Sequence, residues 1–178
     1  NLLETDEVEF RLKARREQRF VLRIRKPEWM KNPTFIINGK EEELVTDSSG
    51  YCLFDRVWAH DNKIVLKYSM KPYIERLKKS DKYVALLYGP YVLAGRFGKK
   101  NLPDSFWSTM NNTARRELDL KEIPSLAYVA DAVADNLKVI SRNPLRFSLP
   151  MNGTKEITIE PFYKIHFERY IIYWLTER

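Results

Sequence analysis

The sequence is poor in the residues that bind metals and form covalent cross-links. It contains one cysteine, Cys52, and two histidines, His60 and His166, among 178 residues. A single cysteine excludes a disulfide within the chain and a zinc cluster built from the chain's own cysteines. We therefore expect no cofactor and no metal ion in this chain.

Long apolar segments and a recognisable leader are also missing. The longest uncharged run, 83–95, is interrupted by Gly89-Pro90 and is shorter than the ~20 residues that a membrane-spanning helix needs. We expect no membrane span. The chain begins at Asn1 without the basic and apolar segments of a signal peptide, and we expect it to be a piece of a larger protein.

The composition is that of a folded protein, with 44% hydrophobic and 13% aromatic residues. One short region carries a charge equal to the formal net charge of the whole chain, +7. Residues 11–26 contain eight basic side chains and one acidic side chain, Glu17. These basic residues alternate with apolar ones such as Phe20 and Leu22. We interpret them as the solvated face of half-buried strands, and we expect no nucleic-acid binding.

Alternating apolar and polar residues predict strands through most of the first hundred residues. Clear alternations lie at 8–14 and 20–25. Asn38-Gly39 is predicted to form a hairpin turn, because both residue types tolerate a positive φ.

Further along, 51–58 and 64–68 are predicted to pair with each other across a turn at 60–62. The stretch 83–94 is predicted to be a buried strand, in which Gly89-Pro90 forms a bulge or edge break. Strands recur about every ten residues, a spacing typical of an all-β sandwich. The predicted fold class is mostly β, an antiparallel sandwich of the jelly-roll or immunoglobulin-like type.

The pattern of apolar and polar residues changes after residue 96, where polar residues replace the alternation. We predict a β-sandwich domain at 1–98 and a second, mainly β part at 99–178, with a short helix at 113–123. The last strand, 165–175, is a candidate to return to the first sheet. The predicted strands of the second part are 137–140, 145–149, 156–159 and 165–175.

The sequence shows no pattern typical of a catalytic centre. Gly-x-Ser-x-Gly, a Gly-rich phosphate loop and His-Glu-x-x-His are all missing. Acidic residues occur singly on alternating strands or in polar turns, apart from Glu41-Glu42-Glu43 after the predicted hairpin turn. His60 is predicted to lie in a turn. We predict no catalytic residue and expect this chain alone not to be an enzyme.

Three side chains are candidates for ligand binding: Trp29, Tyr163 and His166. Trp29 lies in a predicted turn, where an exposed ring stacks well on a sugar. Tyr163 and His166 lie in a dense aromatic segment, and His166 is either a partly buried hydrogen-bonding group or a contact to a ligand or a neighbouring domain. Trp58 and Trp174 end apolar strands and are predicted to be core residues.

Several segments together resemble a known family. They are similar in order and spacing to the region that follows the catalytic barrel in β-L-arabinofuranosidase-like glycoside hydrolases, of the DUF1680 type. The segments are Phe20–Trp29, Phe35–Gly39, Gly50-Tyr51, Asp55–Trp58, Ile64–Tyr68, Val84–Gly95 and Glu160–Trp174.

The resemblance implies an accessory part of such an enzyme. In that family a zinc-bound cysteine nucleophile and a glutamate acid/base lie in an (α/α)6 barrel, and β-sandwich domains follow it. No catalytic residue can be transferred to this chain, and zinc is expected only in the absent catalytic domain. Many members come from bacteria that degrade polysaccharides, so the resemblance implies a periplasmic or secreted protein. His60-Asp61 departs from the Gly-Asp that is usual at this point.

Two functions therefore remain open. In the first, the chain is a non-catalytic region that braces the helical barrel of its own polypeptide, and an apolar patch should be exposed when it is studied alone. In the second, it is a self-sufficient carbohydrate-binding module for a plant polysaccharide or oligosaccharide.

Overall fold

A computed structural model describes residues 6–80, 82–99, 126–151 and 154–177 of the chain. It divides into two compact units, Asn1–Lys71 and Pro72–Arg178. The chain is mostly β, as predicted. The strands of the first unit are β1 (Glu7–Leu12), β2 (Gln18–Arg25), β3 (Lys31–Ile37), β4 (Lys40–Glu42), β5 (Tyr51–Trp58) and β6 (Asn62–Ser69).

The first unit is an antiparallel sandwich. One sheet has the strand order β1-β6-β3-β4, and the other consists of β2 and β5. Strand side chains alternate between faces, so each sheet contributes every second residue to one shared core. Phe35 and Ile64 enter it from the first sheet and Cys52 and Trp58 from the second, and all four are at most 1% exposed.

The hairpin predicted at Asn38-Gly39 is confirmed. It joins β3 to β4, and its two residues have φ values of 50° and 84°, the left-handed pair that a two-residue turn of this type requires. The Asn38 side chain also fastens the turn to β6. Its Oδ1 accepts a hydrogen bond from the Lys63 amide at 2.9 Å, and its Nδ2 donates to Asn62 Oδ1 at 2.8 Å.

The predicted pairing of 51–58 with 64–68 is wrong. The intervening turn carries the chain from one sheet to the other, so β5 pairs with β2 and β6 pairs with β1 and β3. Asp61 in this turn has a φ of 62°, and Asn62 Nδ2 donates to the Ala59 carbonyl. Alternation shows which face of a strand is apolar, but it does not show which strand lies beside it.

The basic residues of β2 are outward, as predicted. Arg19 makes two hydrogen bonds to the Asp55 carboxylate, both at 3.1 Å, across the β2–β5 pair. Arg23 binds Asp47 and lies over the Tyr51 ring, 4.7 Å from its centroid. These side chains therefore form solvated cross-strand pairs on the outer face of the sandwich.

The second unit contains a nine-stranded sheet, a 3-10 helix (Phe162–Lys164) and a four-residue helix, α1 (Ala130–Val133). The strands follow the order β10-β15-β8-β9-β13-β12-β11, with β7 paired to β8 and β14 to β9. Its strands are β7 (Pro72–Arg76), β8 (Tyr83–Tyr88), β9 (Tyr91–Gly98), β10 (Leu126–Val129), β11 (Lys138–Arg142), β12 (Leu145–Met151), β13 (Thr154–Pro161), β14 (Arg169–Ile171) and β15 (Tyr173–Glu177).

One face of this sheet forms the core of the second unit. Leu86, Leu93, Phe147, Ile159 and Trp174 all point to it and are at most 1% exposed. The opposite face, which we call the outer face, presents the alternate residues of the same strands. Trp58 and Trp174 are thus both core residues, as predicted.

The sequence predicted that Gly89-Pro90 forms a bulge or edge break within one strand, and this prediction is wrong. The pair forms the turn of a hairpin, in which Tyr88 of β8 lies opposite Tyr91 of β9. Gly89 has a φ of 55° and supplies the positive φ that this turn needs. The turn was not recognised because apolar residues continue on both sides of it, from Tyr83 to Ala94.

The end of the chain returns to earlier strands. β14 pairs with β9, and β15 pairs with β8, so the segment predicted as one strand at 165–175 is two short strands. The boundary that the sequence suggested after residue 98 falls at the end of β9, inside the second unit. The helix predicted at 113–123 lies outside the described residues.

Gly95 of β9 lies directly beneath the Trp174 indole. A Cβ at this position would come within 2.8 Å of the Trp174 Cζ2 atom. We expect Gly95→Ala to lower the free energy of unfolding by about 1–3 kcal/mol, because the packed indole must shift. Urea denaturation measures this change.

Gly98→Ala is the matched control for Gly95→Ala. Gly98 also lies on β9 but has open space around it and a φ of 70°, so alanine there adds backbone strain alone, about 1 kcal/mol. The double variant Gly95→Ala/Trp174→Phe should lose less free energy of unfolding than the two single variants lose in sum. Strict additivity would show that the two residues do not clash.

The Asp47 carboxylate fastens the loop before β5 and makes the first unit sensitive to acid. Hydrogen bonds from the Tyr51 amide, Arg23 and the Ser49 amide hold its pKa below the usual 3.8. A lowered native pKa stabilises the folded state above the unfolded value, and this contribution is lost as the pH falls through the native pKa.

We therefore expect unfolding of the wild type to become easier below about pH 3.8. Asp47→Asn should be less stable at neutral pH and should lose less stability on acidification. Thermal unfolding at a series of pH values from about 2 to about 7 measures both effects. Glu43→Gln, at an exposed loop residue, is the control, and an equal flattening by that variant would contradict the assignment to Asp47.

Candidate functional site

The first unit contains an apolar cleft beside β1. The two-stranded sheet is narrower than the four-stranded sheet that it faces, and part of the apolar face of β1 is not covered, as the 39% exposure of Phe10 shows. The cleft has a volume of about 400 Å³. It is lined by Val8, Phe10, Ile24, Arg25, Pro27, Trp29, Met30, Leu66 and Tyr68.

Trp29 forms one wall of this cleft. It lies in the turn before β3, as predicted, and its half-buried ring meets the Tyr68 ring edge-on at 5.9 Å between centroids. The lining side chains are apolar or aromatic, apart from Arg25, which is the charged one among them. A sugar here would lose hydrogen bonds to water without replacement, so the cleft suits an apolar side chain better.

Tyr163 and His166 lie together in the second unit, on the segment that follows β13. The Tyr163 ring is 48% exposed and lies 5.7 Å from the Tyr91 ring, with Lys164 Nζ 5.8 Å from its centroid. His166 is exposed rather than partly buried, with its ring 6.5 Å from that of Phe167. The structure therefore brings two of the three predicted residues together and places Trp29 in the other unit.

A network of charged side chains on the outer face of the second unit was not predicted from the sequence. Glu160 of β13 is 4% exposed, and its Oε1 accepts hydrogen bonds from Arg146 Nε at 2.6 Å and from Arg96 Nη1 at 3.2 Å. Arg96 also binds Glu168, with Nη2 at 2.6 Å and Nε at 2.9 Å from Oε1. These contacts tie β9, β12, β13 and the 162–168 segment together.

The network leaves its arginines within reach of solvent. The side chains of Arg96 and Arg146 are 38% and 45% exposed, while those of Glu160 and Glu168 are 6% and 8% exposed. The hydrogen bond that Arg96 donates to Glu168, together with the nearby charge of Glu160, raises the pKa of Arg96 above its ordinary value. The ion pairs hold the guanidinium groups of Arg96 and Arg146 in fixed orientations.

Exposed aromatic rings lie next to this network. Tyr170 of β14 lies directly opposite Arg96 of β9, so the two side chains share the outer face. Its ring is 44% exposed and lies 4.8 Å from the Phe162 ring, which is 36% exposed. We call Phe162, Tyr170, Arg96, Arg146 and Glu160 the aromatic–arginine surface.

The residues that could hold a metal were tested in the same structure. In the described ranges, no three His, Cys, Asp or Glu side chains come together as a metal site. Cys52 is 0% exposed, and burial raises the pKa of its thiol. The zinc that the resemblance assigns to a catalytic domain thus has no ligand set in the described part of this chain. No described helix is long and apolar enough to cross a membrane.

Comparison with protein families gives two matches that meet near the boundary between the units. Residues 73–176 match the model of DUF4986, a domain of unknown function. Residues 1–70 match the middle domain of GH127 β-L-arabinofuranosidase. None of the curated proteins matches the chain.

Solved structures with a similar fold include glycoside hydrolases. A GH127 β-L-arabinofuranosidase from Geobacillus stearothermophilus T6 matches 96% of this chain at 14% identity and a TM-score of 0.58. A GH127 β-arabinofuranosidase matches 95% at 16% identity and a TM-score of 0.59. A further glycoside hydrolase matches 98% at 15% identity and a TM-score of 0.60.

These structures are much longer than the chain. The matches cover 28%, 30% and 31% of the three solved chains. At this identity the likeness shows the fold alone, and it extends over both units.

Glu160 is the residue on which the charged network depends. We expect Glu160→Gln to lower the free energy of unfolding by about 1–3 kcal/mol, because two guanidinium groups lose a buried anionic acceptor. Glu156→Gln, at an exposed position of the same strand, should change it by less than about 0.5 kcal/mol. Urea denaturation at neutral pH measures both, and equal effects would contradict the role of Glu160.

Proposed function

Since the chain belongs to the DUF4986 family through residues 73–176 and its first 70 residues form a GH127-like middle region, we propose that it is the non-catalytic accessory part of a glycoside hydrolase. Its proposed role is to brace a helical catalytic barrel of the same polypeptide. In this proposal the barrel carries the zinc and the chemistry of arabinofuranoside hydrolysis. A bacterial, periplasmic or secreted enzyme is proposed from the family resemblance.

The observation that carries the proposal is the apolar cleft of the GH127-like unit. Phe10 in this cleft is 39% exposed, although its strand partner Ile64 is 1% exposed. Filling such a cleft with apolar side chains gains about 25 cal/mol for each Å² removed from water. The occupant that we propose is an apolar segment of the catalytic barrel, since the matched solved chains are about three times as long as this one.

The environment of the buried carboxylates supports a non-catalytic role. The side chains of Glu160 and Glu168 are 6% and 8% exposed and both form ion pairs with Arg96, so neither carboxylate is open to a substrate. We expect the isolated chain not to hydrolyse β-L-arabinofuranosides. Turnover by the purified chain, measured with a chromogenic arabinofuranoside, would contradict this part of the proposal.

Docking through the cleft is tested by Phe10→Glu in the full-length gene product. A carboxylate at the cleft would have to be buried against the barrel, so we expect a lower melting temperature and faster thermal inactivation of the hydrolase. Val57→Glu is the matched control, because Val57 is 57% exposed on the outer face of β5 and does not line the cleft.

The isolated chain provides the second control for this experiment. Because no barrel segment covers Phe10 in the isolated chain, Phe10→Glu should lower the melting temperature of the isolated chain less than that of the full-length protein. Equal effects of Phe10→Glu and Val57→Glu in the full-length protein would show that the cleft is not the docking surface.

A further inference from the structure

The segment that follows β13 exposes its aromatic side chains and buries its aliphatic ones. Phe162, Tyr170 and Phe167 are 36%, 44% and 62% exposed, whereas Ile165 and Ile171 are 6% and 9% exposed. Neighbouring aromatic rings in contact with water are unfavourable for an isolated domain and indicate a binding surface. Because the exposed side chains are aromatic and the buried ones aliphatic, we expect a ligand that packs on aromatic rings.

The polar groups beside these rings are oriented before any ligand arrives. Glu160 binds Arg96 and Arg146 from below, and both guanidinium groups remain partly exposed. Because the arginine side chains are already fixed, they lose little entropy when a ligand accepts hydrogen bonds from them.

The charge of the surface argues against a phosphate-rich ligand. Arg96 and Arg146 carry two positive charges, and Glu160 and Glu168 carry two negative ones, so the network is formally neutral. Nucleic-acid binding depends on an excess of positive charge. The cores of protein interfaces, in turn, are depleted of glutamate, whereas here two glutamates lie beneath the arginines at the centre of the network.

We propose that the aromatic–arginine surface binds an oligosaccharide. A sugar ring has a face of C–H groups and an edge of hydroxyl groups. The face packs on Tyr170 and Phe162, and the hydroxyl groups accept hydrogen bonds from the guanidinium groups.

The extent of the surface fits a ligand of several sugar units. Tyr170, Arg96, Glu160 and Arg146 lie on β14, β9, β13 and β12, which are neighbours in the sheet. Three strand spacings of about 4.8 Å give a row of about 14 Å. This inference does not rest on the proposed docking role, because the cleft belongs to the other unit.

The test is a calorimetric titration of the purified chain. Two kinds of probe are used, a neutral arabino-oligosaccharide and an acidic oligogalacturonide. Saturable binding of either probe is expected, and the preferred one shows whether a sugar hydroxyl or a sugar carboxylate meets the arginines. Tyr170→Ala should weaken binding about tenfold, whereas Tyr170→Phe, which keeps the ring, should stay within about threefold.

Arg146→Gln provides a second variant that keeps the aromatic rings. It removes one donor at a 45% exposed side chain and should weaken binding severalfold. Thermal unfolding of each variant verifies that it is folded before titration.

Trp29→Ala separates this surface from the cleft and should leave the affinity unchanged. Loss of binding with Trp29→Ala but not with Tyr170→Ala would place the sugar in the cleft and overturn the inference. Failure of both probes to bind would also overturn it. If Tyr170→Ala then also destabilised the full-length protein, the surface would be a contact between domains.

Discussion

The second unit depends on two neighbouring residues of β9 that face opposite sides of the sheet. Gly95 lets the Trp174 indole lie against the backbone on the core side, and Arg96 holds Glu160 and Glu168 on the outer side. The first contact fixes the last strand of the chain against earlier ones. The second fixes the segment that connects β13 to β14. Both faces of the sheet are therefore positioned from one short piece of backbone.

The two units present surfaces of different chemistry. The cleft of the first unit is lined by apolar side chains apart from Arg25. The outer face of the second combines exposed rings with a neutral set of ion pairs. An apolar cleft with few polar groups is suited to burying another protein segment, whereas rings beside oriented charged groups are suited to a polar ring-shaped ligand. The two proposals, docking of a domain and binding of a sugar, therefore use separate surfaces.

Much of the fold could be predicted from local pattern, because alternation and turn chemistry act over a few residues. The core positions of Trp58 and Trp174 and the turn at Asn38-Gly39 follow from such short-range rules. Strand partners are set by contacts between distant residues, so the separation of β5 from β6 could not be predicted in this way.

The candidate site was less accessible to sequence reasoning. Tyr163 and His166 were identified from local aromatic density, but Arg96, Arg146 and Glu160 come from three different strands and become a site only when those strands are neighbours. One signal was available: Glu160 stands just before Pro161 in an otherwise apolar stretch, where a carboxylate needs a partner when it is buried. The turn position of Trp29 follows from the sequence, but its apolar surroundings are a property of the assembled sandwich.

The burial of Cys52 gives the first unit an internal reporter of its own motion. The thiol is 0% exposed in the core of the sandwich, and no other residue of the sequence carries a thiol. A reagent that alkylates thiolates can reach it only when β2 and β5 separate from the sheet that they face. The rate of alkylation therefore records how often this sandwich opens, and occupation of the neighbouring cleft by a partner would slow that rate without any label being added to the chain.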